Sequence, residues 1–67
     1  MKIRGNQLVP GVVMSSGEIV TEVRRRYSKP NAKHVIDVKL ERNGRVRYGT
    51  WNANGTLFIK RMPDVNA

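Results

Sequence analysis

Arg24, Arg25 and Arg26 stand in a row, followed by Tyr27, Lys29 and Lys33, and then by Lys39, Arg42, Arg45 and Arg47. Guanidinium groups grip phosphates through a planar two-pronged fork, and ammonium groups act as mobile point charges. Nine of the thirteen basic residues lie between Arg24 and Arg47 against only Asp37 and Glu41, so this stretch holds a net +7 of the chain's formal +8. A small domain stays dispersed with less, so a one-signed concentration of this density marks a polyanion-binding surface. Nucleic acids are the abundant cellular polyanions, and Lys and Arg bind them by releasing condensed counterions.

Two groups carry this expectation. The first is the run Arg24, Arg25 and Arg26 with Lys29 and Lys33. On a helix three consecutive residues fan over about 200°, so at least two of these arginines must reach solvent. A Glu22–Arg26 pair at helical spacing contributes only a few tenths of a kcal/mol and leaves the other cations unexplained. The second group is Lys39, Arg45, Arg47 and Lys60 around Trp51 and Phe58. Cations interleaved with aromatic faces make a platform on which phosphates are held and unpaired bases stack. The same strands laid in a major groove would bring Arg45 and Arg47 to guanine edges. The plainer alternatives are packing for Trp51 and solvation for the charges.

Other chemistry is poorly represented. There are no cysteines, which removes disulfides and thiolate metal sites. His34 is the sole histidine, without the companions of a metal site, and reads as an ordinary strand-start residue. The five acids, Glu18, Glu22, Asp37, Glu41 and Asp64, form no catalytic spacing, and no glycine-rich phosphate loop follows a strand. No enzymatic activity, cofactor or metal is expected. No apolar run approaches the roughly 18 residues of a membrane span, and the N-terminus lacks the apolar core of a secretion signal. A cytoplasmic location is therefore expected.

The elements that must position these residues read as one domain over residues 1–67. Sixty-seven residues bury only about 60% of the surface of the unfolded chain, leaving no room for a large enclosed site. Over residues 16–28, Ser15 and Glu18 have the form of a capping box. Ile19, Val20, Val23 and Tyr27 form a helical stripe, and Pro30 closes the segment. This predicts a helix over about 16–28, against the strand preference of Ile19, Val20, Thr21 and Val23. Residues of about 34–41, 45–51 and 56–62 alternate and predict a three-stranded antiparallel meander. A three-residue Arg42-Asn43-Gly44 loop would pair Leu40 with Val46 and Val38 with Tyr48, keeping apolar and charged faces apart. A two-residue Asn54-Gly55 turn would place Leu57 and Ile59 beside Thr50. Residues 1–14, interrupted by Pro10-Gly11, suggest a short strand or arm, and Pro63 to Ala67 a frayed tail.

The expected fold is thus α+β, a helix on a three-stranded sheet. If residues 17–27 form a strand instead, the alternative is an all-β SH3-like small barrel. The expected function is that of a nucleic-acid-binding accessory or regulatory protein, for DNA or RNA, with Arg24, Arg25, Arg26, Lys29, Lys33, Lys39, Arg45, Arg47, Trp51 and Lys60 as contacts. The alternative is an inhibitor or adaptor docking on an acidic protein surface. Either suits a monomer or a dimer.

Overall fold

The computed structural model describes residues 1–63. It contains six strands, Lys2–Arg4 (β1), Val13–Met14 (β2), Ile19–Ser28 (β3), Lys33–Arg42 (β4), Arg45–Asn52 (β5) and Thr56–Arg61 (β6), and a single 3₁₀ turn at Gly5–Gln7. All pairings are antiparallel, in one sheet of order β1-β6-β2-β3-β4-β5. No α-helix occurs among the described residues, and none is long and apolar enough to cross a membrane.

The helix expected over 16–28 is therefore overturned: most of it is β3. The cause lies at Thr21. Val20 pairs with Leu40 and Glu22 with Lys39, so Thr21 is an extra residue, a β-bulge, in β3. Its hydroxyl donates to the Lys39 carbonyl at 3.2 Å. The bulge resets the alternation, so Val20 and Val23 both face the core, three residues apart. An inward spacing of three imitates a helical stripe, while the β-branched run satisfies the strand. The α+β fold gives way to an all-β one, built from six strands in one sheet.

Ser15 to Glu18 form the β2–β3 turn in place of a helix cap. Gly17 has φ +90°, and its N–H donates to the Met14 carbonyl at 2.8 Å.

The meander is also revised. The β4–β5 connection is the two-residue turn Asn43-Gly44, with φ 52° and 80°. Positive φ at both positions is the type I′ geometry, whose twist matches the flanking strands. It pairs Arg42 with Arg45, Leu40 with Arg47 and Val38 with Gly49, not Leu40 with Val46 or Val38 with Tyr48. Charge enters the inner face because β5 is an edge strand: no strand among the described residues pairs with its far side. The third strand, β6, leaves β5 altogether and pairs with β1 and β2. Leu57 and Ile59 are buried, but not beside Thr50.

The core shows why β6 departs. Ile36, Val38 and Leu40 of β4 meet Val20 of β3, Leu57 and Ile59 of β6, and Ile3, Leu8, Val12 and Met14 from the N-terminal segment. Leu8, Val12 and Leu40 are at most 1% exposed. The segment read as a strand or arm thus supplies a third of the core, which β6 must reach. The end of the β5–β6 connection is fastened by Gly5, whose N–H donates to the Gly55 carbonyl at 2.9 Å, and by Asn6, which donates to the Ala53 carbonyl at 2.8 Å. Pro63 is half-buried; residues 64–67, the rest of the expected tail, lie outside the described residues.

Candidate nucleic-acid interface

The register sorts the charges. Along the outer face of β3, β4 and β5 the cross-strand rows read Glu22–Lys39–Tyr48 and Arg24–Asp37–Thr50, with Glu41 opposite Val46 and Arg26 opposite Val35. This face carries Arg24, Arg26 and Lys39 against Glu22, Asp37 and Glu41, and is neutral. Arg26 Nε donates to Asp37 Oδ2 at 2.5 Å, and Thr50 Oγ1 donates to Asp37 Oδ1 at 2.7 Å. The Arg26 bond first, then that of Thr50, hold the Asp37 carboxyl below its ordinary range. Arg24 is exposed and has no ion pair among the described residues.

The positive excess lies elsewhere, in three acid-poor places. At the tip of the β3–β4 hairpin are Arg25, Lys29 and Lys33. Arg25 faces inward, opposite Ile36, and its Nη2 donates to the Asn6 carbonyl at 2.7 Å. Beside it Tyr27 and His34 meet edge to face, with ring centroids 5.1 Å apart.

At the opposite end of β4, Arg42, Arg45 and Arg47 line a cleft of about 770 Å³ with Ser16, Glu18, Asn43 and Val46. Arg47 donates to both Glu18 oxygens at 2.5 and 2.7 Å, Ser16 Oγ donates to Glu18 Oε1 at 2.8 Å, and Arg42 Nη1 to the Ser16 carbonyl at 2.6 Å. The bonds from Arg47 first, and then from Ser16, hold the Glu18 carboxyl below its ordinary range. Arg45 is exposed and has no ion pair among the described residues. The six-residue interval between Ile36, the partner of Arg25, and Arg42, the partner of Arg45, sets these two groups about 20 Å apart.

The third place is the outer side of β1 and β6, with Lys2, Arg4, Lys60 and Arg61. Lys2 lies directly opposite Phe58, which is 62% exposed, and Arg61 opposite Val13. No acid among the described residues stands on these two strands. These groups carry a net +9, and Asp64, outside the described residues, brings the chain to its formal +8.

The platform of Lys39, Arg45, Arg47 and Lys60 around Trp51 is accordingly not assembled. Lys39 lies on the outer face beside Tyr48. Arg45, Arg47 and Trp51 follow the inner parity of β5, and Lys60 is on a distant strand. Trp51 is half-buried against the core and lies over Gly49, where a Cβ would come within 2.9 Å of Trp51 Cη2. Arg24, Arg25 and Arg26 alternate on a strand, two outward and one inward. Lys2, Arg4, Arg42 and Arg61 were not among the expected contacts. The alternation Lys2-Ile3-Arg4, polar about a buried residue, was the available signal for the first two.

Among known protein families, curated proteins and solved structures, none matches this chain.

Proposed function

We propose that the protein is a nucleic-acid-binding accessory factor that holds phosphates through cations standing outside its neutral sheet face. The observation that supports this most is the sorting of charge. The β3–β4–β5 face carries as many acids as cations, while the hairpin tip and the β1–β6 side carry seven cations and no acid among the described residues. Folding needs none of those seven as ion-pair partners, since the described ion pairs use only Arg26 and Arg47. Arg45, and Arg24 as the one exception on the neutral face, add two further guanidinium groups outside any described ion pair.

The test is fluorescence anisotropy of short labelled oligonucleotides, duplex and single-stranded, titrated with protein at low and moderate salt. Binding that weakens steeply with salt, by about 0.7 to 0.9 in log–log slope per phosphate contact, supports the reading. Absence of binding at low salt overturns it.

A second reading, docking on an acidic protein, is favoured by the edge of β5. The type I′ turn makes Arg42 and Arg45 a hydrogen-bonded pair, so Val46, Tyr48 and Thr50 aim their N–H and C=O groups away from β4. Val46 and Tyr48 are also exposed, at 46% and 74%. An extended acidic segment added to that edge would satisfy both features. Unrelated DNA failing to compete with such a partner would favour this reading over the first.

A further inference from the structure

We infer that the outer side of β1 and β6 is a stacking platform for the unpaired bases of a single-stranded nucleic acid, with Phe58 as the ring on which a base rests. This rests on the nucleic-acid reading and goes further, assigning a surface and a strandedness.

Phe58 has no packing role that explains it. Leu57 and Ile59, on either side of it, are buried at 9% and 2% exposure, and β6 gives its inward positions to the core through those two. Phe58 points the other way. Across the ladder stands Lys2, and Arg4 follows two residues on along β1, on the same face and about 7 Å away. Lys60 and Arg61 continue β6 beyond the ring. The β-bulge opposite Val13 and Met14 falls at Lys60, because Arg61 pairs with Val13 and Ile59 with Met14. That extra residue splays the two cations at the end of the strand.

The result is an aromatic face with cations on both flanks and no acid among the described residues of either strand. Cations of this kind track a phosphate chain, and a π-face accepts any base, which gives binding tolerant of sequence. A duplex is the wrong occupant for the ring: its bases are already stacked on one another, and a single side chain on a sheet surface meets only the sugar–phosphate exterior. An unpaired strand offers both charge and base face to the same few residues.

The experiment compares the whole chain with Phe58→Leu, Phe58→Trp and the double variant Lys2→Ala, Lys60→Ala. Each is titrated against single-stranded DNA, single-stranded RNA and duplex DNA of one sequence. Phe58 is exposed, so the leucine variant keeps the core, which circular dichroism and melting verify. The wild type is expected to prefer single strands. Phe58→Leu should lose roughly tenfold on single strands, as removal of one stacked base does, and less than twofold on duplex. Phe58→Trp should restore binding, with its fluorescence quenched on stacking. The lysine variant should shallow the salt slope. The DNA and RNA arms identify the sugar. Unchanged single-strand affinity in Phe58→Leu, or duplex competing as well as single strand, overturns the platform while leaving nucleic-acid binding intact. Failure of the wild type to bind any of the three removes the nucleic-acid reading and the platform with it.

Discussion

Arg47 and Glu18, 29 positions apart, join edge strand β5 to the β2–β3 turn through two parallel N–H···O bonds. The pair explains how an arginine can lie opposite fully buried Leu40 at the inner parity of β5: its charge is answered at the rim, where the Glu18 side chain is 14% exposed and that of Arg47 57%. Glu18→Gln is expected to lower the melting temperature by only a few degrees at neutral pH, as befits a solvent-touched pair.

The pH response follows from the same bonds. The carboxyls of Glu18 and Asp37 are held below their ordinary values, by Arg47 and Arg26 first. Their contribution to stability is complete above the unfolded carboxylate range and is lost as pH falls through the lower, folded values. Melting curves of the wild type should therefore decline as pH drops through and below the ordinary carboxylate range. The double variant Glu18→Gln, Asp37→Asn should decline less. Equal acid sensitivity would show that neither pair matters to folding.

The type I′ turn is open to a test by backbone sterics. Asn43 has φ 52°, a region that a β-branched residue enters at a cost of roughly 1–2 kcal/mol. Asn43→Val should be destabilised by about that amount and Asn43→Gly by little, in chemical denaturation. A three-residue loop with Asn43 in the right-handed region would tolerate valine.

Two glycines are held by close approach. A Cβ at Gly49 would press on the Trp51 ring, and one at Gly5 would run into the Asn52 carbonyl oxygen. Gly49→Ala should shift the tryptophan emission, since the ring has room to tilt toward solvent. Gly5→Ala meets backbone that cannot step aside, and should cost about 2 kcal/mol or more. Leu40→Ala, at a position with no exposure, should cost about 2–5 kcal/mol, enough to unfold a domain of this size at moderate temperature.

Arg24→Ala and Arg45→Ala separate function from stability. Both side chains are exposed and outside any described ion pair, so neither variant should change the melting temperature by more than about 0.5 kcal/mol equivalent. Each should reduce the salt slope of nucleic-acid binding by about one. A lower melting temperature with an unchanged slope would reassign them to structure.

Alternation of Ile36, Val38 and Leu40 is legible because β4 is central and regular, and Asn43-Gly44 marks its turn. The segment before it misleads for a definite reason: one extra residue at Thr21 turns a period of two into a step of three. The register after Asn43 departs from the expected one because β5 is an edge strand, where a rim carboxylate makes segregation of the faces unnecessary. The partner of β6 was not legible at all. Which strand a segment joins depends on where distant residues lie, here Ile3 and Met14. For the candidate site, the density of charge was plain in the sequence. Its division among faces was not, since it hangs on register.

Ile3 pairs with Leu57, and the Ile59 N–H reaches the Met1 carbonyl at 2.9 Å. The first strand of the sheet therefore has no partner until the last has been made. Ile3 must wait, unsheltered, for β6, while β2, β3 and β4 can pair with one another without it. Closure comes late and spans nearly the whole chain, which places folding toward the slow, millisecond-to-second end for a domain this small.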